Sequence, residues 1–273
     1  MAGIDLGGRV VIVTGASRGL GRAMAQALAE AGAKVVIAAP ASEMERMKTA
    51  VAEIDAATTP GTAHAVAADI VKPEDCDRLV EATLERFGAL HVLVNNARRL
   101  HRGPGIPPEG NSLPVYETDP AIWRETITVN VNGTFNVTRA VLPTLMKQKW
   151  GRIINLTTSL GTMQRRHNSP YGVTKAALEA ATLIWAQDLA GTGVTVNSLI
   201  PGGSCDSDPD RPPTPGLLPV TIMNPVVVWL ASPRSDGHTG ERYVGKLWDP
   251  ALPPDQAAAG ALEPPVLRPS PGR

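Results

Sequence analysis

The segment that most limits how this chain can fold lies near its start, where Arg9-Val-Val-Ile-Val13 runs into Thr14-Gly15-Ala-Ser17-Arg18-Gly19-Leu20-Gly21 and then into a helical pattern. A short, wholly apolar β-branched run reads as a strand covered on both faces. Glycines at 15, 19 and 21 permit a tight turn, close backbone approach to a pyrophosphate and close packing of the next helix on the sheet. The N-terminus of that helix offers unpaired N–H groups to an anion. Strand, glycine turn and helix together predict a phosphate-binding unit. The spacing is Gly-x-x-x-Gly-x-Gly rather than the commoner Gly-x-Gly-x-x-Gly.

Downstream, strand-like runs at 9–13, 34–39, 63–67, 91–95, 152–156, 194–199 and 242–247 alternate with helical ones, which predicts a parallel sheet of βαβ units. Helix starts are expected at Ser42, at Lys72-Pro73-Glu74-Asp75 and at Asp119-Pro120, where Asp caps and Pro suits the first turn. With 273 residues, 43% of them hydrophobic, one core suffices, so residues 1–248 are expected to be one domain. After Trp248 the composition turns to Pro and Ala with little apolar periodicity, so 249–273 is expected to be an extended or loosely held tail. A formal net charge of zero gives no support for nucleic-acid or anionic-membrane binding. Two cysteines, Cys76 and Cys205, no leader pattern and no long apolar run fit a reduced, cytoplasmic protein, and no metal-ligand spacing is seen.

Tyr171-Gly-Val-Thr-Lys175 supplies the chemistry. On a helix, residues four apart share a face, so a phenol and an ammonium are aimed at one spot. A nearby cation favours the phenolate and brings a pKa of about 10 toward the range useful for proton transfer.

Taken with Asn95-Asn96-Ala97 after Val92-Leu-Val94, Asn130 and Pro201-Gly202, these motifs make residues 4 to about 247 resemble the classical short-chain dehydrogenase/reductase family. The resemblance implies an α/β, doubly wound parallel sheet in a single Rossmann-like domain that binds a nicotinamide dinucleotide. It implies cofactor contacts from Gly15, Ser17, Arg18, Gly19, Leu20 and Gly21, from Asp69 and Ile70 at the adenine, from Asn96 near the ribose, from Tyr171 and Lys175, and from Pro201, Gly202 and Ser204 at the carboxamide. The second strand ends Val36-Ile-Ala-Ala-Pro40 with no carboxylate for a 2′-hydroxyl, and Arg18 is placed to meet a 2′-phosphate. NADP is therefore expected over NAD, with Glu43 and Glu45 just beyond as a counterweight.

The catalytic roles the resemblance implies are Tyr171 as general acid and base, Lys175 lowering its pKa and holding the nicotinamide ribose, Thr158 orienting the substrate oxygen and Asn130 holding a relay water. Thr158 rather than Ser159 has the family's spacing of 13 before Tyr171 (171 − 158), with Ser159 the alternative if the strand slips by one. Arg98 replaces a glycine usual after Asn-Asn-Ala, so its side chain must either overlie the cofactor or turn away. Arg98, Arg99, Arg102, Arg165, Arg166 and His167 suggest a shared basic rim and an anionic carbonyl substrate, against a solvated rim or subunit contact. The helices near 119–148 and 170–190, with Phe135, Leu145, Leu178, Leu183 and Trp185, are expected to pair subunits into a homodimer or homotetramer, unless they serve the chain's own core. Hydride exchange between nicotinamide and a carbonyl or secondary alcohol is the expected activity. Isomerase, dehydratase or lyase chemistry without net redox and a non-catalytic regulatory role stand as alternatives.

Overall fold

In the computed structural model, residues 3–100, 114–207 and 214–267 are described. The strands are β1 (Val10–Thr14), β2 (Lys34–Ala39), β3 (Ala63–Ala67), β4 (Val92–Asn95), β5 (Gly151–Leu156), β6 (Val194–Ile200), β7 (Arg242–Val244) and β8 (Leu262–Glu263). They form one sheet in the order β3-β2-β1-β4-β5-β6-β7-β8, parallel except for the last pair. The helices are α1 (Gly19–Glu30), α2 (Met44–Ala57), α3 (Pro73–Phe87), α4 (Pro120–Ile127), α5 (Thr134–Lys147), α6 (Leu160–Met163), α7 (Tyr171–Asp188), α8 (Asn224–Leu230) and α9 (Pro254–Gly260).

β1, β2 and β4 are apolar at nearly every position because both faces are covered. Val11, Val13, Val35, Ile37, Val92 and Val94 join α1, α2 and α8 in one core. Their neighbours Ile12, Val36 and Leu93 point the other way, toward α3 and α5. β1 lies between β2 and β4, so the winding reverses there and opens a crevice at the carboxyl ends of the strands.

The expected helix starts hold at two places. Asp119 accepts from the Ala121 N–H at 2.7 Å, and Pro73 occupies the first turn of α3 with Glu74 and Asp75 beside it. Ser42 instead sits inside a 3₁₀ turn, Ala41–Glu43, and α2 begins at Met44 without a side-chain cap.

The segment after Trp248 departs from expectation. Residues 254–263 form α9 and β8, with Ala257, Ala258 and Ala261 at most 1% exposed. The Trp229 indole donates to Asp255 at 2.9 Å, and β8 pairs antiparallel with β7. Backbone ladder and small alanines do the docking, and neither leaves an apolar rhythm in the sequence. No described helix is long and apolar enough to cross a membrane.

Leu145 and Leu178, expected on a subunit face, are at most 2% exposed and belong to the chain's own core. On those helices the outward apolar residues are Phe135, Met146, Val173 and Ile184.

Candidate functional site

The glycine turn forms one wall of a cleft of ≈780 Å³ at the reversal point. Gly15, Ser17, Arg18, Gly19, Leu20 and Gly21 line it from one side, and Asp69, Ile70 and Asn96 from another. Nine of the expected cofactor residues thus converge from three loops. Gly15 has φ +63°, and a Cβ there would stand 2.7 Å from the Ala97 Cα. At Gly21 it would stand 2.6 Å from the Gly15 carbonyl and collide with the Asn96 amide. Only glycine leaves this cradle open for a phosphate, so the residues present fit a dinucleotide.

Asn96 acts inward as well. Its Nδ2 donates to the carbonyls of Thr14 (2.9 Å) and Gly15 (3.0 Å). The Thr14 hydroxyl donates to the Val94 carbonyl and accepts from the N–H groups of Asn96 and Ala97 at 3.1 Å. Thr14, 1% exposed, thereby locks β1 to β4 where the winding reverses, a role no local pattern announces. Asp69 borders the cleft while its carboxylate accepts from the Val71 N–H at 3.1 Å, closing its own turn.

Glu43 also reaches the cleft, although β2 ends without a carboxylate. It accepts from the Ser17 hydroxyl at 3.1 Å, which brings a carboxylate to the cleft beside the glycine turn. Glu45 is exposed and pairs with Lys48 at 2.8 Å. Arg18 lines the same wall with an exposed side chain.

Tyr171, Lys175, Thr158 and Asn130 do not line this cleft. Tyr171 opens α7, and the Lys175 Nζ lies 5.8 Å from its ring centre. Lys175 is 2% exposed and donates to the Leu156 carbonyl at 2.7 Å. Burial, reinforced by the Arg98 cation and opposed by Glu179, pulls its ammonium down to about 7. Arg98 itself is exposed and borders the cleft.

Ser159 is the N-cap of α6, its hydroxyl accepting from the Thr162 N–H at 3.2 Å. Among the described residues nothing bonds the Thr158 hydroxyl, whose carbonyl instead accepts from Arg242 at 3.2 Å. Asn130, fully buried in a π-helical turn (Thr128–Gly133), exchanges hydrogen bonds with the Arg99 backbone at 2.6 and 3.1 Å and donates to the Thr174 hydroxyl at 3.1 Å. Thr174 in turn donates to the Tyr171 carbonyl at 2.7 Å. The Asn130 side chain thus ties the exit of β4 to the first turn of α7, and its amide is taken up by protein partners.

Of the turn after β6, Ser207 lines the cleft, whereas Pro201, Gly202 and Ser204 are outside its wall. The Pro201 carbonyl accepts from the Lys246 N–H at 3.0 Å and the Ser204 carbonyl from that of Leu218 at 2.8 Å. The basic residues split into two groups. Arg98 and Arg99 border the dinucleotide cleft, with Arg99 paired to Glu125 at 3.1 Å. Arg165, Arg166 and His167 line a separate hollow of ≈360 Å³ with Tyr116 and Val173. Arg102, with the rest of 101–113, and residues 208–213 lie outside the described residues.

The chain is 40% identical over 194 residues, 71% of its length and 73% of the relative's, to a 3-oxoacyl-(acyl-carrier-protein) reductase of Synechocystis sp.. Among solved structures it resembles a 3-ketoacyl-(acyl-carrier-protein) reductase from Brucella melitensis complexed with NADH, with TM-score 0.75 at 29% identity over 87% of this chain and 96% of that one. It also resembles a Shigella flexneri chain described as a short chain dehydrogenase complexed with NADP, with TM-score 0.77 at 26% identity over 88% and 98%. The family model for short chain dehydrogenase matches residues 9–209, a span that takes in the sheet from β1 through β6 and both motifs, and on that ground the chain belongs to the short chain dehydrogenase family.

Proposed function

We propose that this oxidoreductase reduces a carbonyl, or oxidises the matching secondary alcohol, with Tyr171 as its general acid and base. The observation that carries the reading is the Tyr171–Lys175 pair on one turn of α7, the lysine buried against the end of β5. When bound, a nicotinamide dinucleotide supplies the hydride. The glycine turn, Asp69, Ile70 and Asn96 would hold its adenosine and phosphates, with Pro201, Gly202 and Ser204 toward its carboxamide. Tyr171 Oη gives a proton to the oxygen that gains charge in reduction and takes it back in oxidation. Lys175 Nζ assists while charged, and Thr158 Oγ1 orients the reacting oxygen. The Thr158 hydroxyl, unbonded among the described residues, and the capping use of Ser159 support that choice. Asn130 acts by fixing α7 against the β4 exit. The names of the relatives support an oxoacyl thioester or similar anionic oxo compound, with Arg98 at the cleft available to meet its charge. The protein acts in the cytoplasm as a homodimer or homotetramer formed through the outward apolar residues of α5 and α7.

A panel of ketones, aldehydes, oxoacyl thioesters and alcohols, followed by the absorbance of reduced nicotinamide, tests the reading. Turnover of oxo compounds is expected. Substrate conversion without net cofactor change would replace it with non-redox chemistry, and no conversion at all would end it. If the substrate is anionic, rising salt lowers its kcat/KM but not that of neutral ketones, and Arg98→Ala costs roughly fivefold for the anion alone. Equal behaviour of the two substrate classes would dismiss an anionic preference.

For the cofactor, Arg18 and the bare end of β2 favour NADP, while Glu43 repels a 2′-phosphate. Glu43→Gln is expected to raise the ratio of kcat/KM for NADP over NAD about fivefold, the equivalent of ~1 kcal/mol of charge repulsion in a wet cleft. A ratio unchanged on titration with both cofactors would place the 2′ position elsewhere.

A further inference from the structure

Arg242 stands at the start of β7, just before the buried Tyr243 and Val244, and is itself 2% exposed. Its Nη1 donates to Glu179 Oε1 at 2.9 Å, its Nη2 to the Thr158 carbonyl at 3.2 Å and its Nε to Glu263 Oε2 at 3.4 Å. Glu179, 3% exposed, accepts also from the Thr157 hydroxyl and from that of Ser198 at 3.3 Å. A buried ion pair adds little stability over well-packed apolar residues, so a pair in this place calls for a reason other than stability.

That reason lies in what the pair holds. The last ladder bond at the exit of β5 is from Thr157 N–H to the Leu199 carbonyl, 3.1 Å. Three consecutive residues there are gripped from outside the strand. Lys175 takes the Leu156 carbonyl, Glu179 takes the Thr157 hydroxyl and Arg242 takes the Thr158 carbonyl. Lys175 and Glu179 are one turn apart on the same face of α7. A guanidinium can serve three acceptors in one plane, which an ammonium with a single nitrogen cannot do in the same geometry.

We infer that Arg242 is a positioning residue: it clamps the Thr158 carbonyl to α7 through Glu179 and to the C-terminal strand β8 through Glu263. The inference rests on the proposed reductase reading for the role it gives Thr158. It makes residues 254–263 a working part of the active site, since Glu263 closes the outer side of the clamp and α9 seats the strand that carries it.

The test uses full-length Arg242→Lys and Glu263→Gln with two readouts, hydrogen exchange of the 156–160 segment without cofactor and steady-state kinetics. Arg242→Lys keeps a cation opposite Glu179, so the fold should persist. Exchange at 156–160 should rise about tenfold while 10–39 stays unchanged, and kcat should fall about tenfold with the NADPH dissociation constant within about twofold. Glu263→Gln, at a partly exposed position, should give the same pattern at about threefold. Wild-type exchange and kcat in a folded Arg242→Lys protein would overturn the clamp. Should that variant not fold, unchanged exchange at 156–160 in Glu263→Gln overturns it instead. A wild-type enzyme inert toward every oxo compound would refute the reductase reading alone, and the exchange data would still decide the clamp.

Discussion

Tyr171→Phe is expected to lower kcat/KM for carbonyl reduction by about 10³-fold or more, because in the proposed reaction the developing alkoxide loses the phenol that protonates it. Binding of the dinucleotide should be unchanged within about twofold, since the cleft is built from the glycine turn and the loops after β3 and β4, not from the phenol. The fold should survive too. Tyr171 contributes its carbonyl, not its hydroxyl, to the bond with Thr174 that ties the helix start to Asn130. Fluorescence titration of the reduced nicotinamide dinucleotide beside steady-state kinetics separates these effects. Activity within threefold of wild type would remove Tyr171 as the acid.

Lys175→Met is expected to move activity and stability in opposite directions. Activity should fall about 10³-fold, because Tyr171 loses the cation beside it. Stability should rise. An ammonium whose pKa is about 7 in the folded chain, against an ordinary 10.5, resists burial in its charged form. Below pH 7 Lys175 is protonated both folded and unfolded, and the full cost of burying the charge is carried. Between about 7 and 10.5 the unfolded chain holds the proton that the folded chain has released, so wild-type stability climbs with pH. Above that window both states are neutral. Methionine has no such term, so its advantage should be largest near pH 6, at roughly 2 kcal/mol or about 5 °C in Tm, and should shrink as pH approaches 10. Thermal scans of the cofactor-free proteins across that range check the sign. An advantage that grows with pH would mean that Lys175 is stabilised in its charged form.

These two residues were legible because their relation is local: four residues of spacing in a helical stretch put them on one face. The glycine turn was legible for a similar reason. The strand positions from β1 through β6 came within about a residue of the observed ends, since strands covered on both faces are rich in β-branched and other apolar residues, unbroken in β1 and interrupted by buried polar residues in β5 and β6. Leu145 and Leu178 show the limit of such patterns. An apolar residue on a helix between a sheet and its surroundings has the same signature whether it faces inward or outward, and only packing showed that these two face the core.

By itself, then, the sequence determined the βαβ alternation, the phosphate turn and the Tyr171–Lys175 pair, all of which depend on residues within a turn or a strand of one another. The tertiary structure alone decided that Glu43 reaches Ser17, that Asn130 spends its amide on Arg99 and Thr174, that the C-terminal segment docks on β7, and that Arg242 meets Thr158 across 84 positions of chain. Those contacts join strands and loops that are adjacent only because a parallel sheet brings the ends of distant strands to one edge, and no spacing within a single element can encode which polar groups will meet there.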